Sequence, residues 1–376
     1  MSMDGSSLVD RSGRRYPADQ PRWRGDDGTP LVFEPLPGIG REQIDTTINS
    51  QWRYRAALPN PLAHIGPVSL GEGRTPLITR TFGGIDVGLK VESMNPTGSF
   101  KDRGVSVMVT ALRHQGIGRA LEDSSGNGGS SVAAYCAVAG IEANILVPAA
   151  TSPNKIVQSR LHGAHIELVS GTRQDVADEA VRRAETCFYA SHNWHPHFLQ
   201  GIKLIAYEMW EDLGFRAPTA VLVPAGAGSL VLGCAIGFGE LHRAGAIDRV
   251  PRILVSQPQN CCPLVTAIEQ GRGEVVEQQW STTVAEGTAI AKPVRDREVL
   301  QAIRDTGGAA VAVPEGELLP AVGELARAGL FVEPTSAQIL PALRRLQAAE
   351  KVDAADTIVA VLTGSGLKAG HLLTTV

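Results

Sequence analysis

Seven short runs of β-branched and small apolar residues punctuate the chain: Ile85 to Val91, Ala143 to Val147, Ile166 to Val169, Ala220 to Val223, Ile253 to Val255, Ala309 to Val313 and Thr357 to Leu362. Between most of them lie amphipathic stretches rich in Ala, Leu, Arg and Glu, such as Val176 to Ala184, Leu318 to Ala328 and Ser336 to Glu350. A short, wholly apolar run suits a strand buried on both faces, and a longer stretch with one apolar stripe suits a helix packed over it. The alternation therefore predicts βαβ units, an α/β fold with parallel sheets, and ligand sites at the carboxyl ends of strands. At 376 residues and 43% hydrophobic content, the chain exceeds the roughly 250 to 300 residues that one core accommodates, which predicts two lobes.

Residues 1–36 read differently. They are polar, rich in Gly, Arg and Asp, and interrupted by Pro17, Pro21 and Pro30, so they are expected to form an irregular arm. No apolar run reaches the ~18 residues of a spanning helix, and the first residues lack the hydrophobic core of a secretion signal; a cytoplasmic protein without a membrane partner is expected. The net charge of −4 with interspersed signs gives no basic face for nucleic acid, leaving a small soluble substrate as the expected partner. Five cysteines, an odd number without metal-ligand spacing, fit a reducing compartment, with Cys261 and Cys262 read as buried thiols.

The stretch Asn95-Pro96-Thr97-Gly98-Ser99-Phe100-Lys101-Asp102-Arg103-Gly104 places one amine between a tight turn and a helix start. Pro96 and Gly98 form turns, Ser99 is a suitable N-cap, and Val105, Val107, Met108, Val109 and Leu112 follow with helical spacing. Lys101 is thereby presented from the first turn of a helix, as a Schiff-base lysine is. The local alternative is an ordinary surface lysine beside Asp102.

Three further loops carry chemistry. Val221-Leu222-Val223-Pro224-Ala225-Gly226-Ala227-Gly228-Ser229-Leu230 is a buried strand that breaks into glycines and enters an apolar helix; backbone amides and a helix amino terminus there could hold a phosphate without a basic side chain. A ligand-free tight turn is the alternative. No acidic residue stands about 20 positions on to take a ribose and no Walker lysine-serine pair is present, so nicotinamide and nucleotide-hydrolysing readings are disfavoured. Ser124 to Ser131, with Asn127 among glycines, is a second amide-rich loop suited to a carboxylate, or else a flexible capped turn. Thr363 ends the last strand, where a neutral hydroxyl could face a ring nitrogen without protonating it.

Amine, phosphate cradle, oxygen donor and neutral ring partner together make a pyridoxal phosphate site. The chain resembles the threonine synthase family of pyridoxal-phosphate enzymes, within the group that includes cysteine synthases and serine or threonine dehydratases. The resemblance runs from Gly71 to Lys368, with Asn95 to Gly104, Ser125 to Gly128, Gly226 to Ser229 and Thr363 to Lys368 matching the family's motifs in order. It implies the tryptophan synthase β-like architecture (fold type II), two-lobed with three-layer sandwich domains: a large cofactor domain of residues 37–102 plus 199–376 and a small mobile domain of residues 103–198. It implies that Lys101 is the Schiff-base lysine and general base, that Asn127 contacts the cofactor's phenolate oxygen, that Gly226, Ala227, Gly228, Ser229 and Leu230 bind its phosphate, and that Thr363 faces its ring nitrogen. Thr97, Ser125, Gly126, Gly128, His192 and Asn193 are the implied substrate contacts, and a homodimer is the implied assembly. A hydroxyl at the ring nitrogen favours elimination and replacement over transamination.

The chain also departs from the family. Aligned on Gly201 and Lys203, the arginine that grips substrate phosphate is replaced by Phe198 and an asparagine by His192, which puts O-phosphohomoserine in question unless His192, Asn193, Lys203 or a distant arginine supplies the donors. Ala285 to Ile290, with Glu286, is more similar to the dehydratase version of that segment; Glu286 reads either as a helper of a leaving hydroxyl or as an exposed helix-start residue. Val9, Ser12, Gly25 and Asp27 lie near where relatives carry the cysteines of a zinc knuckle, implying that the metal is gone and that Trp23, Pro35 and Leu36 dock the arm. His192, His195 and His197 match no standard zinc spacing. The expectation is a lyase acting at the β or γ carbon of an amino acid, with a serine/threonine dehydratase, a β-replacement synthase and a non-catalytic binding protein as alternatives.

Overall fold

The computed structural model describes residues 6–373. The chain opens with strands β1 (Ser7–Val9), β2 (Arg15–Pro17) and β3 (Val32–Phe33), then β4 (Leu77–Phe82), β5 (Ile85–Val91), helix α1 (Lys101–His114), β6 (Arg119–Glu122), α2 (Asn127–Ala139), β7 (Glu142–Pro148), α3 (Pro153–Leu161), β8 (His165–Val169), α4 (Arg173–Arg183) and β9 (Phe188–Tyr189). It continues through α5 (Pro196–Ile202), α6 (Leu204–Asp212), β10 (Ala220–Pro224), α7 (Ser229–Arg243), β11 (Arg252–Pro258), α8 (Pro263–Glu269), α9 (Asp296–Asp305), β12 (Ala309–Val313), α10 (Leu318–Arg327), α11 (Pro334–Ala337), α12 (Ile339–Ala348) and β13 (Ile358–Leu362). These elements form two compact units. The first comprises the amino-terminal segment to Pro37 with Gln43–Glu72 and Lys101–Ile202; the second comprises Gly38–Glu42, Gly73–Phe100 and the chain from Lys203 onward.

In the first unit, β8-β7-β6-β9 form a four-stranded parallel sheet. Each strand follows a helix because parallel neighbours need a long crossover, and a helix is the most economical one. Leu121, Leu146, Val176, Ala180 and Tyr189 fill one face of this sheet, and Ala133, Ile145, Val147 and Ile156 another. Thr172 and Asp175 start α4 with a reciprocal capping box.

In the second unit the order is β12-β11-β10-β13-β5-β4, parallel throughout except for the antiparallel edge pair β4 and β5. Ala-Val-Leu-Val-Pro of β10 and Ile-Val-Ala-Val-Leu of β13 are wholly buried, as central strands covered on both faces must be. Strand β4 has no counterpart in the sequence reading, because Leu-Ile-Thr-Arg-Thr-Phe is polar at three positions and exposed at its centre. It is positioned by a two-residue turn at Gly83 and Gly84, both at positive φ, the geometry that matches hairpin twist. The expected single helix over Ser336 to Glu350 is instead α11 and α12 separated at Gln338; Pro341 lacks the N–H that would have bonded back to Ala337.

The arm is the clearest departure from expectation. The described part, from residue 6 (Met1 to Gly5 lie outside it), is not irregular but a small antiparallel sheet, β2-β1-β3, with Leu8, Tyr16, Ala18 and Leu31 as its own core. Asp10 organises it, accepting hydrogen bonds from the Ser12 N–H and Oγ (2.9 and 2.6 Å), the Arg14 N–H (2.9 Å) and the Tyr16 hydroxyl (2.6 Å). A similar arrangement recurs at Asp27, which accepts from the Thr29 N–H and hydroxyl. Loops of this kind need a central acceptor to gather their N–H groups, and here carboxylates fill that role. Trp23 docks as expected, against Tyr189 and Trp194 at 5.1 and 5.2 Å.

Candidate functional site

The first unit gathers its candidates around one ring. Lys101 begins α1, and its neighbour Asp102, fully buried, accepts a 2.6 Å hydrogen bond from Ser131 Oγ, which ties the first turn of α1 to the second turn of α2. The Lys101 Nζ stands 5.7 Å from the centre of the Phe198 ring. On the same ring, the His192 imidazole packs edge-on at 5.6 Å. Helix α2 opens at Asn127, and a Cβ on Gly128 would stand 2.6 Å from His192 Cε1, so glycine is what lets the imidazole lie against this helix start. The N–H groups of Ser125, Gly126 and Gly128 meet no acceptor among the described residues. Amide-rich backbone running into a helix amino terminus in this way forms a site for a carboxylate.

His192 does not sit there as a cation. Its Nδ1 lies 3.0 Å from Glu122 Oε1 and its own N–H donates to Glu122 Oε2 at 3.1 Å. Burial, then the charge of Lys101, holds the imidazole well below the ordinary histidine range. Burial also raises the Glu122 carboxyl to about 7, against the lowering effect of the His192 N–H and the Arg173 charge. Both shifts have one physical origin, the cost of a charge removed from water. Arg173 is itself engaged, at 2.6 Å from Asp123 Oδ2. Asn193 is half-buried and its N–H donates to Ser191 Oγ at 3.3 Å. His195 and His197 pack into aromatic contacts with Phe188 and Phe33.

The second unit sets the remaining candidates at the carboxyl ends of three adjacent strands, β10, β13 and β5. Strand order reverses direction there, the position where open α/β sheets bind ligands. After β10, Gly228 adopts the left-handed conformation (φ +84°) and opens α7 without a side-chain cap; a Cβ on it would collide with Val299. The N–H groups of Gly226, Ala227, Gly228, Ser229 and Leu230 have no acceptor among the described residues, although four of these five residues are buried. Buried amides are nearly always satisfied, so a run of five demands an external acceptor, and a phosphate supplies several oxygens at once. The residues present fit the cofactor's phosphate.

After β13, the Thr363 hydroxyl lies 2.8 Å from Ser336 Oγ and donates to Glu333 Oε1 at 3.1 Å. After β5, the lysine motif is pinned beside it: Phe100 N–H donates to the Thr363 carbonyl (3.0 Å), Ser365 N–H to the Gly98 carbonyl (2.9 Å) and Lys368 Nζ to the Thr97 carbonyl (2.8 Å). The residue preceding Lys101 is thus held by the residue expected at the ring nitrogen. Ser99 is not an N-cap. Its backbone pairs with Gly364 and its buried hydroxyl makes no hydrogen bond, a second orphaned group pointing to a ligand. Two residues went unread in the sequence, Glu333 and Ser336, whose only local signal was their place before an apolar helix.

Of the donors expected in place of the missing phosphate grip, Lys203 is engaged elsewhere. Lys203 is fully buried, 2.7 Å from Glu240 Oε1, with the Tyr207 hydroxyl donating to Oε2. Glu286 is exposed at the start of a short 3-10 turn. Among the described residues, no group of three or more His, Cys, Asp or Glu side chains is arranged to hold a metal ion, and no helix is long and apolar enough to cross a membrane.

Comparison with known proteins sets this geometry in context. Residues 68–364 match the family described as "Pyridoxal-phosphate dependent enzyme". The threonine synthase of Methanosarcina acetivorans is 34% identical over 339 residues, covering 88% of this chain and 83% of the relative. That of Mycobacterium tuberculosis is 35% identical over 310 residues, covering 80% and 84%. Among solved structures, a threonine deaminase from T.th. superposes with a TM-score of 0.65 at 26% identity, covering 78% of this chain and 92% of that one.

Proposed function

Because the chain belongs to the family of pyridoxal-phosphate dependent enzymes, we propose that Lys101 holds the cofactor and that the substrate is an α-amino acid whose β-carbon carries a neutral leaving group, not a phosphate. The protein is a pyridoxal-phosphate dependent lyase of the elimination type, with the α/β architecture of fold type II. The observation that carries the substrate reading is Phe198: an apolar ring lies against Lys101 where a phosphate-binding arginine is expected. A dianion without a bidentate donor remains uncompensated, whereas a hydroxyl or ester oxygen needs none.

When bound, pyridoxal phosphate supplies the electron sink that acidifies the substrate's α-hydrogen. The chain's own residues do the rest. Amides from Gly226 to Leu230 would hold the phosphate, and the Thr363 hydroxyl, kept in place by Ser336 and Glu333, would turn its hydrogen to the ring nitrogen and leave that nitrogen unprotonated. Asn127 would donate to the phenolate oxygen. The amides of Ser125, Gly126 and Gly128, with Thr97, bind the substrate carboxylate and so fix the Cα–H bond relative to Lys101 Nζ, which takes the α-proton as general base.

The five free thiols support a cytoplasmic setting, and Phe331 and Leu367, both exposed on segments joined by the hydrogen bond from the Gly366 N–H to the Phe331 carbonyl, support a homodimer, since adjoining exposed apolar side chains mark interaction surfaces. Borohydride reduction with peptide mapping is expected to place a pyridoxyl group on Lys101; its absence there rejects the cofactor assignment. A product assay over serine, threonine, O-acetylserine and O-phosphohomoserine is expected to find keto acid or replacement product from the first three. Phosphate release from O-phosphohomoserine at a higher kcat/KM than any of them would reject the substrate reading. Light scattering tests the dimer.

A further inference from the structure

The pair formed by His192 and Glu122 has no part in the chemistry derived so far. The acid ends β6 and the histidine follows β9; these strands are parallel neighbours, so both side chains project from the same end of one sheet. Glu122 is fully buried; its Oε1 lies 3.0 Å from the His192 ring Nδ1, and it accepts the His192 backbone N–H at 3.1 Å and the Asp123 N–H at 3.0 Å. The opposite ring nitrogen, Nε2, has no partner among the described residues and is not sealed from solvent. His197, by contrast, has its Nδ1 sealed. With Glu122 ionised, its oxygen beside Nδ1 favours the tautomer that leaves the lone pair on Nε2, and the imidazole shares the Phe198 ring with Lys101.

We infer that His192 is the general base for an incoming nucleophile, an amine or water, and that the enzyme completes β-replacement and not elimination alone. The inference rests on the reading of Lys101 as the cofactor lysine. In the first half, Lys101 removes the α-proton and the leaving group departs from Cβ as an anion, leaving a Cα–Cβ double bond. In the second, the nucleophile's lone pair forms the bond to Cβ while its proton passes to His192 Nε2. The π pair moves to Cα and takes the proton stored on Lys101. The proton on His192 leaves with the departed anion, so one H–X is released for each H–nucleophile consumed. Glu122 orients the imidazole and offsets the imidazolium that forms.

The test uses holoenzyme with O-acetylserine and two probe nucleophiles, methylamine and 2-mercaptoethanol at a pH where its thiolate is abundant. A thiolate needs no base. His192→Gln is expected to lower the ratio of the methylamine rate to the thiolate rate about 100-fold or more. Glu122→Gln is expected to fall between. Nitrogen-15 histidine NMR of the wild type is expected to show a neutral imidazole protonated on Nδ1. An Nε2-protonated tautomer, an equal loss with both nucleophiles, or no replacement product with either probe overturns the proposal. The Lys101 adduct and its absorbance, intact in His192→Gln, confirm that the variant is folded and loaded; an adduct absent even from the wild type would instead reject the underlying cofactor reading.

Discussion

Lys203 Nζ and Glu240 Oε1 lie 2.7 Å apart, and neither residue is more than 1% exposed. A lysine held this way cannot reach a substrate. Its work is to neutralise an acid that also accepts the Tyr207 hydroxyl. Lys203→Met is therefore expected to destabilise the fold by about 3 to 5 kcal/mol, because it strands a buried charge. Adding Glu240→Gln should restore much of that. Denaturant unfolding measures both, and an unaltered midpoint with a raised KM would show that Lys203 serves the substrate after all.

Gly228 combines a left-handed backbone with a contact to Val299 that leaves no room for a Cβ. Gly228→Ala should distort the amide run and weaken cofactor binding by about 10- to 100-fold, in line with roughly 1 to 3 kcal/mol of backbone strain. Equilibrium titration of the apoenzyme with pyridoxal phosphate reads this directly. Unchanged affinity would mean that the phosphate lies elsewhere.

Thr363 donates its proton to Glu333 and holds the Phe100 N–H through its carbonyl. Thr363→Val removes the hydroxyl but keeps the shape and the backbone bond. Cofactor affinity is expected to drop about tenfold, the equivalent of one hydrogen bond, with turnover falling further. A variant indistinguishable from wild type in absorbance and rate would remove Thr363 from the site.

Asp10 offers a pH prediction. Burial raises its carboxyl, but the Ser12 and Tyr16 hydroxyls and the Arg14 and Ser12 N–H groups outweigh it and bring the pKa to about 2. A carboxylate depressed in the folded state contributes stability that is complete above its unfolded value near 3.8 and disappears as pH falls toward 2. Melting temperature measured from about pH 6 to about pH 2.5 should thus drop more steeply in the wild type than in Asp10→Asn, which starts less stable at neutral pH. Parallel curves would show that the arm does not depend on this charge.

Much of the site was legible in the sequence because its chemistry is carried by backbone. Glycines after β10 and before α2 announce exposed amides wherever a strand turns into a helix, and the strands themselves are uniform enough in hydrophobicity to be found by eye. What stayed hidden depends on pairing between distant positions. Glu122 and His192 are 70 residues apart, and neither is unusual where it stands. Glu333 and Thr363 meet only because α11 packs beside the end of β13. The arm misled for a related reason: its prolines and charges read as an irregular segment, while its sheet is organised by Asp10 collecting four donors that composition does not reveal.

The docking of that arm has a practical side. Trp23 packs on Trp194 and Phe33 on His197, so the stretch between the imidazole at 192 and the aromatic ring at 198 is gripped from outside by the amino-terminal segment. Any fusion, tag or truncation at the amino end will tug on this grip, and indole emission will register the slackening before catalysis is assayed. A purification strategy that places its handle at the other terminus is the safer starting point for every kinetic comparison.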